Sequence, residues 1–148
     1  MTSNDVRMSD DIIFPRSPKN EVMGLPYFAR MCHKIRLSKD GDLHEDYQPN
    51  LGKGFDKWTC ELLEIKYEDL VKVVNMGAND ETALFWAYEN GKKPEAPVLD
   101  WWNSYMRNRG VNDDLSEKLE IRKVEAGFGG RGDIASFFDF IDAEEGRD

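Results

Sequence analysis

Residues 25–38 read LPYFARMCHKIRLS, and this stretch decides the fold class. Phe28, Met31, Cys32 and Ile35 stand at positions i, i+3, i+4 and i+7, the spacing that puts side chains on one face of an α-helix. Pro26 suits a first helical position, where a missing N–H removes no hydrogen bond, and Asp40-Gly41-Asp42 stops the run. A helix over 26–38 is therefore predicted. On the same wheel Arg30, His33, Lys34 and Arg36 fall on the side opposite the apolar stripe.

The same period returns along the chain. Phe55, Trp58, Thr59 and Leu62 mark a short helix, and Tyr67, Leu70, Val71 and Val74 the next. Asn79 or Asp80 offers an N-cap to a helix carrying Leu84, Phe85 and Tyr88, which Gly91 ends. Pro94 opens a fifth, with Val98, Trp102, Tyr105 and Met106, closed by Gly110. Asn112 or Asp113 caps a sixth with Leu115 and Leu119, and Asp133 a last with Ile134, Phe137, Phe138 and Ile141. Residues 40–54 are polar and glycine-bearing and read as a loop. No segment sustains a period of two and none recurs as a repeat. The expected fold is all-α: one domain over 15–148, a compact orthogonal array of about six to seven short helices. A flexible N-terminal arm over 1–14 precedes it.

Composition agrees. A chain of 148 residues has the size of one domain and buries enough surface to need neither disulfide nor structural metal. Hydrophobic residues are 40% and charged residues 33%, a globular profile. No apolar run approaches the ~20 residues that span a bilayer. The first eleven residues lack the apolar core of a secretory signal, and Cys32 and Cys60 have no metal or disulfide spacing. A cytoplasmic location follows, with no membrane partner. The net charge of −9 opposes general nucleic-acid binding. Within 15–39, however, six basic residues (Arg16, Lys19, Arg30, Lys34, Arg36, Lys39) face one acid, a local charge of +5 that leaves −14 elsewhere.

Pro15-Arg16-Ser17-Pro18, Leu25-Pro26 and Arg30-Met31-Cys32-His33-Lys34-Ile35-Arg36 resemble the leader of the bacterial domain-of-unknown-function family DUF5069. Its Asp-containing short helix corresponds to the stretch from Phe55-Asp56 to Leu62-Leu63-Glu64-Ile65. The stretch from Tyr67 through Asn79-Asp80-Glu81 to Trp86 fits the same layout, so the resemblance covers about residues 15–110. This chain has His33 where family members often carry an acid. The resemblance implies a small helical protein and supplies no activity.

Two features carry functional expectations. Arg16, Arg30, Lys34 and Arg36 can hold a carboxylate or phosphate, with Asp56, placed by the family layout, as polar partner. That reading expects a small anionic ligand, or the anionic substrate of an enzyme, in a concave pocket where at least two of the basic groups converge. It fails if Arg30 and Lys34 point apart into solvent or are each tied in a salt bridge. The bland alternative is a solvated or salt-bridged helix face. Secondly, Trp101 and Trp102 are adjacent on one helix, and Phe140 follows Phe137 and Phe138 on another. Not all can point inward, so a non-catalytic module that binds a protein partner or a second copy is the leading expectation.

The remaining motifs fail on geometry. Cys32 and His33 diverge by about 100° on a helix, so they form no nucleophile–base pair. His44-Glu45-Asp46, with Asp40 and Asp42, lacks zinc or calcium spacing, and no metal or cofactor is expected. Gly127-Phe128-Gly129-Gly130-Arg131-Gly132 matches G-x-G-x-x-G, but no strand precedes it, so a turn between helices is the simpler account. Arg131-Gly132-Asp133 reads as chance outside an extracellular protein.

Overall fold

The computed structural model describes residues 12–147; the arm expected over 1–14 lies outside these except for its last three positions. Before the first helix the chain makes a β-hairpin, β1 (Glu21–Val22) and β2 (Leu25–Pro26), with Val22 opposite Leu25. Met23 and Gly24 both have positive φ, the backbone a tight two-residue hairpin turn requires. Strands of two residues are too short to display alternation, so the periodicity of the sequence could not reveal them. Pro26 consequently belongs to β2, and helix α1 runs over Phe28–Lys39 after Tyr27, which is left-handed at φ 72°.

A 3-10 turn, Glu45–Asn50, breaks the expected loop, and the helices α2 (Phe55–Leu63), α3 (Tyr67–Asn75) and α4 (Asp80–Asn90) follow. Then come α5 (Ala96–Arg107), α6 (Ser116–Glu125) and α7 (Phe137–Glu144), making seven α-helices among the described residues. The chain is mostly helical, as the spacing predicted. The side chain of Asn79 caps α4 by accepting from the Thr82 N–H. The cap of α7 is Ser136, accepting from the Asp139 N–H, and not Asp133, which pairs with Arg131. Asp113 lies three residues before α6 and binds the Gly110 and Leu115 amides.

Helix α1 packs on α3 and α4, α2 on α3, and α7 on α5 and α6. The main core gathers Phe28, Met31, Cys32, Leu63, Leu70, Leu84, Met106 and Phe138 around α1. A smaller cluster of Leu119, Ile134 and Phe140 sits under α6 and α7. At Gly91 the chain passes so close to the Leu63 carbonyl that an added Cβ would lie 2.0 Å from that oxygen. Arg109 joins α5 to α2, its guanidinium over the rings of Trp58 and Tyr105 and bonded to Asp113 and Asp114.

One expectation about α1 is corrected. Arg30 and Lys34, assigned to an outward face, are as buried as the apolar stripe, at 5% and 4% exposure. The long aliphatic stems of these side chains pack like hydrophobes. Their charged ends meet carboxylates brought from α2 and from the end of α7. Helix α1 is thus the central helix, covered on nearly every side.

Candidate functional site

Arg30 and Lys34 are one turn apart and share a face of α1. Tyr27, held at the start of the helix by its left-handed backbone, reaches the same region. Asp56, second residue of α2, is completely buried and joins Lys34 and Tyr27. Lys34 Nζ lies 2.8 Å from Asp56 Oδ1 and donates to Tyr27 Oη at 3.0 Å, while Tyr27 Oη donates to Asp56 Oδ1 at 2.6 Å. The second carboxylate oxygen accepts from the Gly52 N–H at 2.9 Å. Gly52 has φ +75° and its Cα faces the Tyr67 ring so closely that a Cβ would sit 2.9 Å from it, which explains a glycine at this amide.

Beside this triad Arg30 meets Glu145 through a two-bond fork, Nη1 to Oε1 at 2.9 Å and Nη2 to Oε2 at 2.7 Å. Tyr47, from the 3-10 turn, donates to Glu145 Oε2, and Arg147 donates to Oε1. Arg147 also reaches the Pro15 carbonyl, which fastens the end of the described chain to its beginning. Arg30, Glu145, Lys34 and Tyr27 line a pocket of about 650 Å³, with Asp56 buried behind Lys34 and Tyr27. Its walls are Phe55, Phe137, Phe140 and Ile141, and Lys53, Asp46, Arg122 and Glu144 also line it.

Burial lowers the Lys34 ammonium below its ordinary range, outweighing the attraction of Asp56. The Tyr27 phenol is raised by burial and by the neighbouring Asp56 carboxylate, so it stays a proton donor. Burial works against charge on Glu145, but the bonds from Arg30, Tyr47 and Arg147 hold its carboxyl below the usual value. Glu144 moves upward, through burial and the charge of Glu145 next to it.

The structure treats the expected residues unequally. Arg30, Lys34 and Asp56 come together, and Arg30 and Lys34 converge on one pocket as the ligand reading required. Each is nonetheless tied in a salt bridge, so they are not a free cationic cradle, and on that criterion the reading fails for these two cations. The arginine side chain at Arg16 is outside the pocket. Its backbone N–H donates to His33 Nδ1 and its carbonyl accepts from Arg30. The imidazole therefore needs an unprotonated Nδ1, and burial together with Arg16 and Arg36 lowers its pKa. Arg36 pairs with Asp80 and the Ala78 carbonyl on another side of α1. Trp101 is exposed, Trp102 half-buried, and Phe140 is packed in the smaller cluster rather than on the surface.

Tyr27, Tyr47 and Glu145 escaped the sequence reading. Tyr27 adjoins the basic helix and carried a visible signal, a tyrosine between Pro26 and Phe28 at a helix start. Glu145 lies 115 residues from Arg30 and nothing local links them. Cys32 and Cys60 are both buried and unpaired, and burial pushes the Cys60 thiol up to about 12. Among the described residues no group of three or more histidine, cysteine or acidic side chains is arranged to hold a metal. Nor is any helix among them long and apolar enough to cross a membrane.

A family model described as a domain of unknown function, DUF5069, matches residues 12–147, nearly the whole chain. No curated protein matches the sequence.

Proposed function

The chain belongs to the DUF5069 family, and we propose that it binds a small ligand bearing an anionic group in the pocket between α1, α2 and α7. The observation that carries this reading is a set of buried ionisable side chains on the wall of an open cavity. Lys34 with Asp56, and Arg30 with Glu145, are costly to bury and contribute little net stability over well-packed hydrophobes. Such groups concentrate at sites of binding and chemistry. They neutralise one another, so the anion's place is at Lys53 and Arg122, which line the same cavity and form no salt bridge among the described residues. The rings of Phe55, Phe137 and Phe140 supply an apolar wall for the rest of the ligand. Two buried, unpaired cysteines fit a reducing, cytoplasmic setting.

The test is a thermal-shift screen with carboxylate and phosphate metabolites. A ligand at a hundred times its Kd adds about 2.7 kcal/mol of stability, which raises Tm by about 5–10 °C in a domain of this size. The shift is expected to vanish when Lys53 and Arg122 are both replaced by alanine. Absence of any responding anion, or a shift unchanged in that variant, removes the reading.

A second reading, self-association, rests on Trp101. It is 70% exposed, and Tyr105, one turn along the same face of α5, is 46% exposed. Sedimentation velocity over a wide concentration range tests it: a dimer that dissociates on Trp101→Ser supports it, and a monomer throughout removes it.

A further inference from the structure

We infer that Lys34 is an amine nucleophile that condenses with the aldehyde or ketone carbonyl of an anionic ligand, with Asp56 and Tyr27 handling the protons. The inference rests on the ligand-binding reading and adds the substrate class and the chemistry. Four observations converge on it. Lys34 lines a cavity large enough for a small metabolite. A group able to take the ammonium proton stands 2.8 Å away, and that group, Asp56, is itself fully buried. Tyr27 Oη bridges the two, receiving from the amine and donating to the carboxylate. Lastly, burial, aided by the like charge of Arg30 one turn earlier, lowers the Lys34 ammonium below its ordinary range despite the attraction of Asp56.

A lysine is a nucleophile only when unprotonated, and burial beside another cation is the usual means of obtaining that form. Proton transfer from Lys34 to Asp56 turns an ion pair into two neutral groups, a change that low polarity eases. The amine nitrogen then attacks the carbonyl carbon, forming a C–N bond and placing the carbonyl electron pair on oxygen. That oxygen takes a proton from the nitrogen through Tyr27 and a second from Asp56. The C–O bond breaks, water leaves, and a protonated imine remains opposite the regenerated Asp56 carboxylate. The sum is ammonium plus carbonyl giving iminium plus water, with no change of oxidation state. The cations Lys53 and Arg122, which line the cavity with Phe55, hold the anionic substituent.

The experiment uses glyoxylate, a small anionic aldehyde, with cyanoborohydride to reduce any imine, followed by peptide mapping of the full chain. At neutral pH Lys34 is expected to be labelled faster than any exposed lysine, since a lowered pKa leaves more of the amine free. Lys34→Arg, which keeps a cation for Asp56 and cannot form an imine, is expected to lose that adduct while remaining folded by circular dichroism. Tyr27→Phe keeps the ring and the ion pair and is expected to slow labelling without abolishing it. Labelling spread over exposed lysines with Lys34 unmodified overturns the inference. Glycolate, which has the anionic group and no carbonyl, separates the two proposals. Stabilisation by glycolate with no Lys34 adduct overturns the amine chemistry and leaves the binding site standing. Neither stabilisation nor adduct overturns both.

Discussion

Lys34 and Lys123 are equally buried, at 4% exposure each, and their ammonium groups are satisfied by different chemistry. Lys123 Nζ donates to two backbone carbonyls, Arg131 O at 2.7 Å and Ile134 O at 2.9 Å, with the carboxylate of Glu120 further off at 3.4 Å. It pins the glycine-bearing connector to α6, and carbonyl oxygens do not accept its proton. Lys34 has a buried carboxylate at 2.8 Å, a tyrosine hydroxyl in the same network and a cavity in front of it. Burial of a lysine is thus no functional signal by itself. What separates the two is whether a proton has somewhere to go and whether a ligand has somewhere to sit.

The sharpest way to break this distinction is to remove each amine in turn. Lys34→Met leaves Asp56 buried and uncompensated, at a cost of about 3–5 kcal/mol. Lys123→Met leaves two carbonyls short of a donor, at a cost of about 1–3 kcal/mol. Urea unfolding midpoints measure both, and equal losses would put the two lysines in one structural class. The double variant Lys34→Met with Asp56→Leu sharpens the point. With both charges gone it is expected to regain about 2 kcal/mol or more of the Lys34→Met loss, because a buried pair is worth little net. If nothing is regained, Asp56 supports the fold through Tyr27 and the Gly52 amide rather than through Lys34.

The pH dependence of stability carries the next largest effect. The folded pKa of Lys34 lies below its ordinary 10.5, so between the two values the unfolded chain binds more protons and stability rises with pH. That rise, at most about 1.4 kcal/mol per pH unit for one proton, is expected to disappear in Lys34→Met and to persist in Lys123→Met. At the acid end Glu145 gives a slope of the same sign. Its folded pKa lies below the ordinary 4.5, so its contribution is complete above that value and is lost as pH falls through the folded pKa. Glu145→Gln is expected to flatten the acid limb and leave the alkaline rise intact. Equilibrium unfolding at a series of pH values separates these limbs.

The same two lysines mark how far the sequence could be read. The helical period found the helices because each carries two or more apolar residues at helical spacing, and that pattern is local. The stripe of α1 was correct at Phe28, Met31, Cys32 and Ile35. The opposite face was misjudged, because a helix covered on all sides by other elements looks amphipathic when its buried cations are paired. Those partners lie 22 residues away in Asp56 and 115 away in Glu145, and no local spacing reports such distances. Asp56 was named with the basic cluster only because the family layout set its helix alongside. No sequence pattern points to Lys123, since its acceptors are main-chain carbonyls, which every residue possesses. The hairpin was invisible for a related reason: its register is set by two positive φ angles and not by side-chain alternation.

The smallest effect is the most diagnostic of the difference in acceptors. Glu120 is the sole carboxylate paired with Lys123 among the described residues, and its side chain is 64% exposed. A pair at 3.4 Å whose carboxylate is exposed is screened by water and salt on that side and is worth little. Glu120→Gln is therefore expected to change stability by no more than about 0.5 kcal/mol. It should also leave the connector unaltered, as judged by amide exchange at residues 131–134. Asp56→Asn is the matching change for Lys34 and removes the charge of a fully buried partner, so its cost is expected to exceed that of Glu120→Gln several-fold. If Glu120→Gln destabilised the protein as much as Asp56→Asn, the carbonyls of Arg131 and Ile134 would not be what satisfies Lys123. The contrast between a lysine held by the main chain and a lysine facing a proton acceptor would then collapse.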